Sequence, residues 1–192
     1  MKPAKFSFFP PLLARDRHEP HRTATQLELL FDLIVVIAIA EAAQGLGHQI
    51  AAGHVALGIM EYLMAFFFIW WPWNLFTWFA SSFDNDDALY RINVMVMMVG
   101  LLIVTAVIPV IFTGAVTFYG FVGYMILRLA LAFLWLRVSD DNPALIKTVR
   151  RYAWGQLPLQ GMWAISIFVP TPWSLTFFLL VTITTCCELL LP

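Results

Sequence analysis

Six runs of about 20 largely apolar residues succeed one another in this chain, at roughly 25–45, 55–80, 91–112, 116–138, 150–169 and 173–191. As an α-helix, each run is long enough to cross the hydrocarbon core of a bilayer. In hydrocarbon every backbone polar group must be satisfied inside the segment, and a helix does this unaided. The connectors are short. Several carry turn chemistry: Gly45-Leu46-Gly47, Thr113-Gly114, Asp140-Asp141-Asn142-Pro143 and Pro170-Thr171-Pro172. No water-soluble domain fits between the runs. The expected fold is all-α, a polytopic transmembrane helical bundle of about six spans over residues 25–192, with a tail of residues 1–24 before it.

Composition supports a lipid environment. Of 192 residues, 61% are apolar and 12% charged, whereas soluble domains carry about 25% charged residues. A net charge of −1 provides no basic field, so nucleic acid is not an expected partner. The cysteines, Cys186 and Cys187, are neighbours in an apolar run. Helical neighbours point about 100° apart, so these two read as packing residues without a redox role. The apolar stretch from Phe6 to Leu13 is short, is broken by Pro10 and Pro11, and is followed by no small-residue cleavage site. Residues 1–24 therefore read as a cytoplasmic tail, with the first span as its own insertion signal.

The cations set the expected orientation. Lys2, Lys5, Arg15, Arg17 and Arg22 lie in the tail, Arg91 follows the second run, and Arg137, Lys147, Arg150 and Arg151 join the fourth run to the fifth. The other three connectors hold no Lys or Arg, and Arg128 lies within the fourth run. Both chain ends are accordingly expected on the cytoplasmic side. Pro72, Pro109 and Pro158 fall inside spans and predict kinks. Trp70, Trp71, Trp73 and Trp78 read as part of an aromatic belt, with ligand stacking as the alternative.

A charge at mid-bilayer costs roughly 2.5–3.5 kcal/mol, so each needs a partner or a cavity. The first run carries Glu28, Asp32 and Glu41. Counting about 1.5 Å per residue puts Asp32 and Asn74 roughly 10 Å from the cytoplasmic end, and Arg128 and Gln160 roughly 14 Å from it. Gln156 shares a helix face with Gln160. These residues, with Glu28, form an expected intramembrane polar site in which Asp32 and Arg128 are the natural ion pair. Two interpretations stay open: a buried pair that fixes helix register, or a site for a substrate, ion or proton.

Two further clusters lie nearer the surfaces. Glu41 and Glu61 fall within about two turns of the outer face, and His48 and His54 fall on the connector between their helices. Such a set can bind a metal or relay protons, or it is a solvated loop with snorkelling carboxylates. At the cytoplasmic side, Asp84, Asp86 and Asp87 precede the third run. They read as helix-capping residues, with a divalent-cation role as the alternative. The three lysines all lie outside the runs, which excludes a retinal Schiff base. The four histidines are placed outside them too, which argues against bis-histidine haem within the bundle. No phosphate loop, Gly-x-Ser-x-Gly elbow or His-Glu-x-x-His motif is present, and no catalytic set or cofactor is expected.

Two blocks resemble a known family. Glu28-Leu29-Leu30-Phe31-Asp32-Leu33-Ile34-Val35-Val36-Ile37-Ala38-Ile39 is similar to the signature that opens the bacterial low temperature requirement protein A (LtrA) family. Trp70-Trp71-Pro72-Trp73-Asn74-Leu75-Phe76-Thr77-Trp78-Phe79, followed by Phe83-Asp84-Asn85-Asp86-Asp87, resembles that family's second-helix block. Leu127-Arg128, Trp135-Leu136-Arg137, Arg151-Tyr152, Gln160 and Trp163 fit as well. The resemblance implies an N-terminal half, since family members run to about twice this length with more spans. It implies no particular reaction or substrate.

Three functions are compatible with these residues. One is a transporter or ion-conducting protein working through the intramembrane Asp/Arg site. Another is a non-transporting structural or stress-related membrane component with a purely structural ion pair. The third is a lipid-modifying enzyme using a cation at Asp84–Asp87. The expected partners are membrane lipids, and self-association or a missing C-terminal half would extend that set.

Overall fold

The computed structural model describes residues 13–14, 25–84, 87–113, 118–141, 146–147, 161–162 and 164–165. The chain runs β1 (Leu13–Ala14), α1 (Gln26–Ala51), α2 (Val55–Ser82), β2 (Phe83–Asp84), α3 (Ala88–Ile111) and α4 (Phe118–Asp141). The four helices are each long and apolar enough to span a membrane. The predicted fifth and sixth spans lie outside the described residues.

Local sequence explains where the helices start. Thr25 is the N-cap of α1, and its hydroxyl accepts from the Glu28 N–H at 3.2 Å. Thr25-Gln26-Leu27-Glu28 thus has the Thr-x-x-Glu pattern of a capping box. Asp87 caps α3 by accepting from the Leu89 N–H at 3.2 Å. Pro72 and Pro109 lie inside α2 and α3, as predicted.

The predicted turn at Gly45-Leu46-Gly47 is corrected by the structure: these residues are helical, and α1 continues to Ala51. Gly45 is a packing residue, because a Cβ there would overlap the ring of Phe112 at the end of α3. The reversal falls instead at Ala52–His54, where Gly53 adopts φ 81°. That left-handed conformation is one glycine enters without steric cost.

Packing follows the small residues. α3 packs most extensively on α4, and α1 packs on both α2 and α3. Gly100 and Gly123 are what let α3 and α4 approach. A Cβ on Gly100 would lie 2.7 Å from the Gly123 carbonyl oxygen, and one on Gly123 would lie 2.7 Å from that of Gly100. In lipid, where apolar surface alone does not drive helices together, such close backbone contact is a main source of association. Asn93 reinforces this contact by donating from Nδ2 to the buried Ala130 carbonyl at 2.8 Å.

An aromatic cluster closes the end of the bundle where α2 finishes. Trp135 meets Phe79 edge-on at 5.1 Å and Phe83 at 5.8 Å. β1 pairs antiparallel with β2, Leu13 opposite Asp84 and Ala14 opposite Phe83, so this piece of the tail lies at that same end. Outward positions are apolar, among them Leu33, Val36, Leu63, Val99 and Leu102. Large exposed aliphatic side chains at mid-helix are what a hydrocarbon solvent accommodates.

Asp87 also pairs with Arg137 at 3.0 Å, both side chains being about nine-tenths buried. This contact ties the start of α3 to the end of α4. Asp87→Ala removes the cap and the ion pair together, and a cap alone is worth about 1 kcal/mol. The expected result is a clear fall in melting temperature in detergent. Asp87→Asn retains a capping side chain and should recover part of that loss.

Candidate functional site

The intramembrane polar residues separate into two places. On α1, the face turned to the bundle is Phe31, Ile34, Val35, Ala38, Ala42 and Gly45. Asp32 lies one residue round from Phe31 and is exposed, among outward-facing Leu29, Leu33 and Val36. Its carboxylate Oδ1 accepts from the indole N–H of Trp73 on α2 at 2.7 Å. Asn74, the next residue, is half-buried.

Arg128 is elsewhere. It is 1% exposed, ten residues after Phe118, about 15 Å along α4 and so near the middle of that span. Among the described residues, Asp32 forms no ion pair with Arg128 or any other cation. The physical reason is azimuth. α1 packs on α2 and α3, not extensively on α4, and Asp32 points away from the bundle. Glu28 is half-buried in the first turn of α1. Gln156 and Gln160 lie outside the described residues.

The second place is a cleft of about 370 Å³ at the opposite end of the bundle. Glu41, Gln44, His48 and Gln49 of α1 line one wall, and Pro109 and Phe112 line another. The α1 residues recur at steps of three and four and so share one helix face. One predicted position is corrected here. His48 is in the last turn of α1 and not on the connector, and Glu41 lies ten residues before Ala51, about 15 Å from that end of the helix. Both follow from the extra turn of α1 through Gly45 and Gly47. His54 is the exposed residue preceding α2 and does not line the cleft.

Glu61 stands behind this wall. It is 6% exposed, and Gln49 Nε2 donates to its Oε2 at 2.9 Å. The same Gln49 nitrogen donates to the Phe112 carbonyl at 2.9 Å. That carbonyl belongs to the residue capping the C-terminal end of α3, so Gln49 holds α1, α2 and α3 together. Among the described residues, Glu41 makes no hydrogen bond or ion pair. No group of three His, Cys, Asp or Glu among the described residues is arranged to hold a metal ion.

Of the cytoplasmic acidic cluster, Asp87 is engaged with Leu89 and Arg137 as described above. Asp86 and the side chain of Asp84 lie outside the described residues. Sequence reasoning missed Gln44, Gln49, Trp73 as a hydrogen-bond donor, and Asn93. For the two glutamines the signal was present: positions 41, 44, 45, 48, 49 and 52 follow a helical spacing.

Residues 23–192 match the family described as Bacterial low temperature requirement A protein (LtrA). The chain belongs to the LtrA family. Neither a curated protein nor a solved structure matches it. In this LtrA-family chain the two blocks that carry the resemblance face each other: Asp32 comes from the first, on α1, and Trp73 from the second, on α2. With four span-capable helices, the LtrA-family chain is an integral, multi-pass membrane protein.

Proposed function

We propose that this LtrA-family protein is a transporter or ion-conducting protein of the bacterial inner membrane, with its chain ends cytoplasmic, working through intramembrane polar residues. The observation that carries the reading is Arg128, a cation sequestered from solvent at the middle of a membrane-length helix. Intramembrane ionisable residues are costly, and they commonly line ion or substrate pathways. Asp32, about 9 Å into α1, adds a carboxylate, and Asn74 lies beside its Trp73 partner. Pro72 and Pro109 interrupt the backbone hydrogen bonding of α2 and α3, which makes these helices natural places to bend.

A second reading has one observation in its favour. The Asp32 carboxylate is already held by Trp73, which suits a structural member of a non-transporting membrane component.

Purified protein reconstituted into liposomes separates the two. The transport reading predicts charge movement on a jump in proton, sodium or potassium concentration. It further predicts that Asp32→Asn abolishes the current while helical circular dichroism is retained. Absence of any current from wild-type protein, or an unchanged current in the variant, sinks that reading.

A further inference from the structure

We propose that the cleft lined by Glu41 is a binding site for a small organic cation. This concerns binding alone, so it goes beyond the transport reading and does not require any solute to cross.

The size of the cleft suits a small molecule better than a bare ion. At about 370 Å³ it falls in the range of small-molecule sites. The lack of a three-ligand group among the described residues also argues against a metal.

Charge selects the ligand's sign. Glu41 presents a half-buried carboxylate that no described residue hydrogen-bonds or pairs with, about 15 Å from the end of its helix. Glu61 adds a second carboxylate behind Gln49, and it too receives an amide rather than a cation. Among the described residues, neither Lys nor Arg lines the cleft. A wall carrying negative charge that no described Lys or Arg compensates, with low-dielectric protein and lipid around it, concentrates cations.

The remaining lining determines which cation. Both hydrogens of the Gln49 amide nitrogen are used, one on Glu61 and one on the Phe112 carbonyl, which leaves the amide oxygen as an acceptor. Phe112 is held in place from two sides, its carbonyl by Gln49 and its ring by the glycine surface at Gly45. An anchored aromatic ring near a carboxylate suits an ammonium or quaternary ammonium head, which gains both ion pairing and cation–π attraction. Pro109 offers apolar contact to an alkyl body. The ligand class is therefore a compact monocation with an apolar portion.

The test uses the full chain in detergent, with choline as the probe and 3,3-dimethylbutan-1-ol as its uncharged isostere, read by isothermal titration calorimetry. Choline is expected to bind and its isostere to bind about tenfold more weakly or worse. Glu41→Gln should weaken choline about tenfold. Gln44→Lys, at an exposed position on the same wall, should weaken it similarly by adding a positive charge. The second variant keeps the test decisive if the first fails to fold. The proposal is overturned if wild-type protein binds choline more weakly than about 10 mM. Equal affinity for the isostere, or choline binding unchanged in the folded variants, overturns it as well. Choline binding without any current in liposomes would leave this proposal standing and remove the transport reading. Current without choline binding would do the reverse.

Discussion

Replacing Arg128 with alanine is expected to destabilise the detergent-solubilised protein by about 3–5 kcal/mol, seen as a large drop in melting temperature. Arg128 heads the fully buried side chains of the bundle by volume, at 1% exposure. Truncation leaves a void that the neighbouring helices fill only in part. It also removes whatever interactions the buried guanidinium makes. Arg128→Met separates shape from charge. Methionine fills similar space, so this variant avoids most of the void and keeps mainly the loss of the arginine's own interactions. The expected outcome for Arg128→Met is a retained fold and a smaller fall in melting temperature than for alanine, with current in liposomes lost. A Met variant that folds and conducts as wild type would assign Arg128 to architecture alone.

The second large effect is expected where α3 meets α4. Gly100→Ala places a methyl group 2.7 Å from the Gly123 carbonyl oxygen and 2.8 Å from the Leu127 amide nitrogen. Both are backbone atoms, so relief requires the helices themselves to separate. Overpacking ordinarily costs about 1–3 kcal/mol, and rigid backbone neighbours put this case at the upper end or beyond. Separation would also stretch the Asn93 bond to Ala130. Gly123→Ala meets the Gly100 carbonyl and the side chain of Ile103 and should behave alike. Gly47→Ala is the control. It is helical, and a Cβ there meets nothing within 4 Å. Alanine is the better helix former by about 1 kcal/mol, so this variant should be neutral or slightly stabilised. Thermal melts of the three variants side by side would check the contrast.

What could be read from the chain alone follows from what lipid demands. Length and apolarity locate spans because hydrocarbon tolerates little else, and the four described helices fall where those runs lie. Capping by Asp87 was likewise readable, because an acidic residue before an apolar run satisfies otherwise orphaned N–H groups. Glycine was harder. Gly45 and Gly47 look like a turn in one dimension, yet Gly45 is a helical contact for Phe112, which lies far along the chain. That misplaced end carried His48 and Gln49 out of α1 and concealed the cleft.

Asp32 and Arg128 illustrate a second limit. Counting residues from a span end gives depth along the membrane normal but not direction around the bundle. Asp32 turns outward to Trp73, and α1 packs on α2 and α3 rather than extensively on α4. Two charges at similar depth therefore need not meet. Gln49 presents the converse. Its bonds to Glu61 and the Phe112 carbonyl join three helices, and no spacing rule along one helix announces such a junction.

The central claim is that hydrocarbon surrounds these helices while water enters the Glu41 cleft, and labelling of single cysteines tests it most directly. In a background with Cys186 and Cys187 replaced by serine, cysteine would be introduced singly at Val36, Leu63, Val99, Gln44 and His48. A membrane-impermeant maleimide reacts with a thiolate, which requires water. In reconstituted vesicles and inverted membranes together, Gln44→Cys and His48→Cys should label, and the other three should stay unreactive until detergent denaturation. Ready labelling at Val36, Leu63 and Val99, or protection at both cleft positions, would contradict the account.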